Sequence, residues 1–146
     1  MKQLIFTIAL ACLTSSCIAQ VEWTFRCLKV SNDMYEIHMK AELADSWHIY
    51  AQDSPKGGPV PTKIIFNPNP MLGLIGTVKE IGNRKREYNS VFNVYVLSYR
   101  DSVDFTQLVK VKSKIQTSIS GVISFMVCNE SQCMPPAKQK ISFELK

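Results

Sequence analysis

The sequence predicts an all-β fold, an antiparallel β-sandwich of immunoglobulin-like general shape, and three observations carry that expectation. Residues Tyr35 to Leu43 alternate strictly, with Tyr35, Ile37, Met39, Ala41 and Leu43 on one face and Glu36, His38, Lys40 and Glu42 on the other. A half-buried strand has that period of two. Turn chemistry recurs at short intervals, in Ser54-Pro-Lys-Gly-Gly-Pro-Val-Pro61, Asn67-Pro-Asn-Pro70, Gly82-Asn83 and Pro135-Pro136. No stretch carries a sustained helical apolar stripe capped at both ends. About eight short strands in a chain of 146 residues fit two packed sheets rather than one open sheet.

Taken in order, the chain opens with Met1-Lys2, an apolar run from Leu4 to Leu13, the polar Thr14-Ser-Ser16 and the small residue Ala19. This is the layout of a secretory signal peptide, residues 1–19, followed by a domain spanning 20–146. The apolar run is too short for a bilayer core that takes ~20 residues to cross, and no later segment is long or apolar enough. The expectation is an exported protein, periplasmic or secreted, without a transmembrane segment in its mature chain. The alternative of a lipoprotein acylated at Cys17 lacks the apolar residue usual three positions upstream, where Thr14 stands.

The first strand is read at Trp23 to Val30, where Trp23, Phe25 and Cys27 share a face and Cys27 is expected as a buried, inert thiol. After the alternating segment, in which His38 is expected to face solvent, strands are suggested at Trp47–Gln52, Thr62–Asn67, Thr77–Ile81, Val91–Tyr99, Val103–Val111, Ile115–Val127 and Ile141–Leu145. No internal repeat or linker divides the chain. The formal net charge of +5 is scattered, apart from Arg84-Lys85-Arg86, and forms no basic stripe interleaved with aromatics. Nucleic-acid binding is excluded on that pattern. Exposed aromatics such as Tyr95 and Tyr99 leave a carbohydrate-binding or scaffold sandwich as a reading from fold alone.

Removing the leader takes away Cys12 and Cys17 and leaves Cys27, Cys128 and Cys133, of which the last two are the natural pair. They flank Asn129-Glu-Ser-Gln132, a polar hairpin-like loop that brings their Cα atoms to ~4.5–5.5 Å, within reach of a disulfide. So short a loop removes little chain entropy, ~2 kcal/mol, which makes the bond a weak staple. Pro135-Pro136 interrupts backbone pairing just beyond it, and an accessible sulfur is what thiol–disulfide exchange needs. Spacing alone leaves the structural and the redox reading both open. Zinc would need further ligands that the scattered His38 and His48 do not supply, so no metal is expected.

The segment Cys128-Asn-Glu-Ser-Gln-Cys133-Met-Pro-Pro136 resembles the active-site segment of the N-terminal periplasmic domain of the thiol:disulfide interchange protein DsbD. Upstream, Ser46-Trp-His-Ile-Tyr50 is similar to that family's aromatic strand, and Arg86-Glu87-Tyr88 to its acidic and aromatic cap loop. The resemblance implies an immunoglobulin-like domain that relays electrons through its two sulfurs, with no organic cofactor or metal. The donor would be a thioredoxin-like domain or a membrane-bound electron carrier, and the acceptors periplasmic disulfide-containing proteins. Carried over by position, Cys133 forms the mixed disulfide and Cys128 resolves it, with His48 and Tyr50 beside the sulfurs, Tyr88 as an aromatic lid and Glu87 as a charge disfavouring the thiolate. The alternative is a non-catalytic adaptor with a permanent hairpin disulfide. Three departures from the family are visible: four residues rather than five between the cysteines, Arg86 in place of a second acidic residue, and Tyr88-Asn89 where an aromatic pair and glycine are expected. The chain also ends after its last strand with no membrane module or thioredoxin-like domain, which reads as a stand-alone module.

Overall fold

A computed structural model describes residues 19–112, 114 and 116–146; the expected leader, with Cys12 and Cys17, lies outside the described residues except for Ala19. The described residues contain nine strands and no helix: β1 (Val21–Lys29), β2 (Met34–Leu43), β3 (His48–Tyr50), β4 (Lys63–Phe66), β5 (Leu72–Asn89), β6 (Val94–Val111), β7 (Thr117–Phe125), β8 (Val127–Cys128) and β9 (Ala137–Leu145). They form two antiparallel sheets, one of six strands and one of three, β4-β7-β9. The fold is the immunoglobulin-like sandwich the alternation predicts. No helix among the described residues is long and apolar enough to cross a membrane.

The large sheet is organised by β6, eighteen residues long. Along one edge it pairs with β5; along the other it pairs first with β2, from Lys110 to Ser102, and then with β3, from Arg100 to Ser98. Strand β1 lies outside β2, and β8 lies outside β3. Between those two partners β6 carries three residues, Arg100 to Ser102, where β5 carries one, and Asp101 takes the left-handed φ of 64°. This bulge bends the strand from one neighbour toward the other.

The bulge also corrects two expectations. Gly82-Asn83 is not a turn but the part of β5 that lies against the bulge, and 91–99 and 103–111 are not separate strands but one. Glycine is needed at position 82 because a Cβ there would stand 2.9 Å from the carbonyl oxygen of Ser102. Polar residues beside a glycine read locally as a reversal; here they are a kink shared by two paired strands.

The core lies between the sheets. Ile37, Met39, Val103, Phe105 and Val109 of the large sheet are fully buried against Ile119, Ile123, Phe125, Ile141, Phe143 and Leu145 of the small one. Trp23 closes one side, with its ring 5.3 Å from Phe125 edge-on and 6.2 Å from Phe25 in parallel. Strand β2 keeps the predicted alternation, its inward residues Tyr35 to Ala41 being buried. His38 differs from expectation: it is only partly exposed, and its Nδ1 lies 2.7 Å from Asp104 on β6. The carboxylate, diagonal to it on the neighbouring strand, gives this polar residue a partner within the six-stranded sheet. Cys27 is half-buried rather than buried, because β1 is the sheet edge, although burial still pushes its thiol pKa up.

Strand β4 lies beside β7 so closely that a Cβ on Gly121 would lie 2.4 Å from the carbonyl oxygen of Ile65, whereas one on Gly73 would meet only the Lys112 side chain at 3.6 Å. Gly121→Ala is therefore expected to lose about 1–3 kcal/mol, the usual penalty of overpacking, and Gly73→Ala to fall within about 0.5 kcal/mol of the parent. Urea midpoints of the two variants measure the contrast.

Candidate functional site

The site begins with a three-residue strand. In β3, Ile49 points into the sandwich core and is fully buried, so the alternation of a strand sends His48 and Tyr50 to the outer face. Their rings meet edge-on at 5.2 Å, and the His48 Nε2 lies 3.1 Å from the Tyr50 hydroxyl. His48 stands opposite Arg100 of β6 on one side and opposite Cys128 of β8 on the other. Cys128 in turn is bridged to Cys133. Four chemically capable residues thus form one row across the sheet: Arg100, His48, Cys128 and Cys133.

Cys128 and Cys133 form a disulfide with their Cα atoms 4.0 Å apart, closer than the spacing expected from sequence. The ladder explains why. Hydrogen bonds flank the pair, from Asn129 N to Gln132 O at 2.8 Å and from Met134 N to Val127 O at 2.9 Å. The cysteines therefore occupy the non-hydrogen-bonded position, where facing residues approach most closely. The intervening turn has its own fastening: Asn129 Oδ1 accepts bonds from Ser131 N, Ser131 Oγ and Gln132 N, at 2.9, 3.0 and 2.9 Å.

The two sulfurs belong to unlike environments. Cys128 is 1% exposed and packs with Tyr50, Val96 and Met126, while Cys133 is exposed at the mouth of a cleft of about 400 Å³. All six residues expected at the site, Cys128, Cys133, His48, Tyr50, Glu87 and Tyr88, line this cleft. Pro135 and Pro136 follow on the exposed outer side. Cys27 is not among the lining residues; it sits on β1, opposite Ile37.

Two of the six are arranged differently from expectation. Residues 86–89 are not a loop but the paired end of β5, with Glu87 opposite Val96 and Tyr88 opposite Tyr95. Tyr88, 54% exposed, rests edge-on against Tyr95 at 5.3 Å and bonds through its hydroxyl to Asn93. The reversal is the tight tip of the β5–β6 hairpin, where Asn89 Oδ1 accepts bonds from Val91 N and Phe92 N. Glu87 is not a free charge, since Arg100 donates to it at 3.2 Å and to Glu130 at 3.3 Å.

Arg100 thus ties the hairpin to the loop between the cysteines. No local pattern singles out Arg100 or Glu130: Arg100 stands in a polar stretch, and only strand register brings it to the site. Tyr99, read as an exposed aromatic, is buried, with its hydroxyl donating to Glu80 at 2.7 Å. Tyr95 is half-exposed, but beneath Arg86, whose guanidinium lies 3.8 Å from its ring centre.

Burial, followed by the neighbouring Arg100 charge, pushes the His48 imidazole below its ordinary value, while Glu87 and Glu130 pull it partly back. Burial and Glu87 push the Tyr50 phenol up. The Glu87 bond holds the Arg100 guanidinium charged. Among the described residues there is no group of three or more His, Cys, Asp or Glu able to hold a metal. The chemistry available at the cleft is that of an exposed sulfur bonded to a buried one, next to a neutral imidazole.

With the fold and cleft described, comparison with known proteins gives a consistent picture. No protein-family model matches the chain, and no curated protein matches it. Among solved structures, the N-terminal periplasmic domain of ScsB from Proteus mirabilis superposes with a TM-score of 0.62 over 90% of this chain, at 15% identity. This chain spans 49% of the length of that one. The DsbD N-terminal domain of Neisseria meningitidis, in its reduced form, superposes with a TM-score of 0.50, at 14% identity, over 84% of this chain and 90% of its own. The fold is therefore that of the N-terminal periplasmic domains of DsbD and ScsB, as the resemblance of the cysteine segment led one to expect.

The turn has fastenings besides the sulfur bridge. Asn129→Ala, which takes one acceptor from three donors, is expected to lower stability by about 1 kcal/mol when the disulfide is intact. The loss should be larger with reductant present, because the bond then no longer holds the turn closed. Denaturation of wild type and variant in both redox states checks this.

Proposed function

We propose that the domain 20–146 is an exported thiol–disulfide exchange module that cycles between the Cys128–Cys133 disulfide and the dithiol. The observation that carries this reading is the asymmetry of the pair: one sulfur at the surface, its partner 1% exposed. Exchange proceeds by in-line attack of a thiolate on one sulfur through a mixed disulfide. An incoming thiolate has access to Cys133, and Cys128 is then the leaving sulfur. In the other direction Cys133 attacks a partner's disulfide and Cys128 resolves the intermediate.

A permanent staple is less well supported. The turn is held by five hydrogen bonds that do not involve sulfur, so the disulfide is not its sole fastening. The fold shared with the DsbD and ScsB N-terminal domains and the cysteine segment support the same reading. The electron donor in it is a thioredoxin-like domain or membrane-bound carrier, and the acceptors are disulfide-containing proteins of the periplasm. Residues 1–19 serve as the signal peptide that takes the domain there. The β5–β6 tip, with Tyr88, Phe92 and the 85% exposed Val91, borders the reactive sulfur and is the surface against which such a partner would rest. Tyr88 is the lid and Glu87, through Arg100, its tether.

Two measurements test the proposal. In a Cys27→Ser background, Cys128→Ser should accumulate a mixed disulfide through Cys133 with a thioredoxin-like protein that lacks its own resolving cysteine and carries the remaining one as a thionitrobenzoate disulfide, and the same variant with Cys133→Ser added should trap nothing. The reduction potential of the wild-type pair should lie above about −300 mV; inert bridges of secreted proteins lie below that. A lower potential with an empty trap would sink the exchange reading in favour of the adaptor.

A further inference from the structure

Resting on the exchange reading, we propose that His48 is the proton acceptor for Cys128 when that thiol closes the disulfide. The problem it solves is set by burial. In the dithiol, the sulfur that must attack Cys133 is the buried one, and a thiolate at that depth is disfavoured because burial penalises charge. Closure therefore needs a base positioned beside Cys128.

The strand register supplies one. His48 stands directly opposite Cys128, on the same outer face, and is 9% exposed. One of its nitrogens, Nε2, is engaged with the Tyr50 hydroxyl at 3.1 Å. The other, Nδ1, is buried and has no hydrogen-bond partner among the described residues. In the tautomer that the proposal uses, Nε2 donates its hydrogen to the Tyr50 hydroxyl and Nδ1 presents a free lone pair.

Other groups around the row are less suited. Glu87 and Glu130, from β5 and the turn, are both committed to Arg100 of β6. Tyr50 of β3 keeps its proton, since burial and Glu87 raise its phenol. Ser98 Oγ on β6 also lacks a partner, but a hydroxyl is no base near neutral pH. Burial and Arg100 keep His48 neutral to below its ordinary 6.5, against the opposing pull of Glu87 and Glu130, so the accepting form is the populated one at neutral pH.

The step balances as follows. Cys133 is joined to an acceptor sulfur; the Cys128 S–H bond breaks, its proton passes to His48, and its electron pair attacks Cys133 Sγ. The Cys128–Cys133 bond forms as the bond from Cys133 to the acceptor breaks, and the acceptor sulfur leaves as a thiolate with that electron pair. The two cysteines have lost two electrons, the acceptor disulfide has gained them, and the imidazolium returns its proton to the departing thiolate or to water.

The test uses the reduced protein, with Cys27→Ser as background, and dithionitrobenzoate as the acceptor. Attack by Cys133 releases one thionitrobenzoate anion, and closure by Cys128 releases the second, so the two steps are read separately by stopped flow. In wild type the second phase is expected to be flat with pH around neutrality. It should fall only as the pH drops through the His48 pKa, below 6.5, because protonated His48 cannot accept. In His48→Gln the second phase should slow about 100-fold at neutral pH, the lower range for a positioned base, and rise about tenfold per pH unit with no flat region. The first phase should stay within about twofold.

A His48→Gln closure rate within about threefold of wild type, or a wild-type rate that climbs steadily with pH, overturns this inference and leaves the exchange reading standing. Absence of any second phase in wild type overturns both. The wild-type pH profile needs no substitution at the buried position, so a variant that fails to fold does not shelter the proposal.

Discussion

The bend in β6 is the constraint on which the site depends. A single strand serves two partners on one edge, and the three residues Arg100 to Ser102, set against one residue of β5, allow it to leave β2 and take up β3. Without that change of direction β3 would have no place in the large sheet. His48 would then face neither Arg100 nor Cys128. The left-handed Asp101 and the close approach at Gly82 are two sides of this one bend. What looks like an irregularity is what lines up a guanidinium, an imidazole and two sulfurs.

That alignment shows how a small β domain can place two identical side chains in unlike surroundings. Both cysteines sit on the same rung, yet Cys128 belongs to a strand inside the sheet and Cys133 to the returning chain at its edge. Depth, rather than any neighbouring charge, distinguishes them. The charges that are present form a closed group, Glu87 and Glu130 about Arg100, at partly exposed positions where ion pairs each contribute ~0.2–1 kcal/mol. Their value lies in holding the hairpin tip and the cysteine turn at a fixed separation, not in stabilising the fold.

The sequence makes the fold legible where one face is apolar throughout. Tyr35 to Ala41 are buried as their alternation requires, and β1 and β7 follow the same rule on one side. It is least legible in β5 and β6, because a kink in paired strands and a turn between them use the same residues, Gly, Asn, Asp and Ser. Composition cannot separate the two; pairing does. The cysteine pair, His48 and Tyr50 could be selected because they stand in short recognisable segments. Arg100 and Glu130 could not, since their partners are 13 and 30 residues away in the chain from Arg100, and no local pattern marks them.

The paired prolines after Cys133 bear on how long any partner stays. The large sheet ends at a strand of two residues and its short return, and beyond that return Pro135 and Pro136 offer no amide hydrogen. An edge so brief and so poor in donors cannot be extended by a foreign strand. Under the proposed exchange, a protein arriving at the cleft would be held by side chains and by a single covalent bond between sulfurs, with no backbone ladder at this edge to keep it. Once that bond was exchanged, little would remain to delay departure, as the proposed module requires if it is to serve one protein after another.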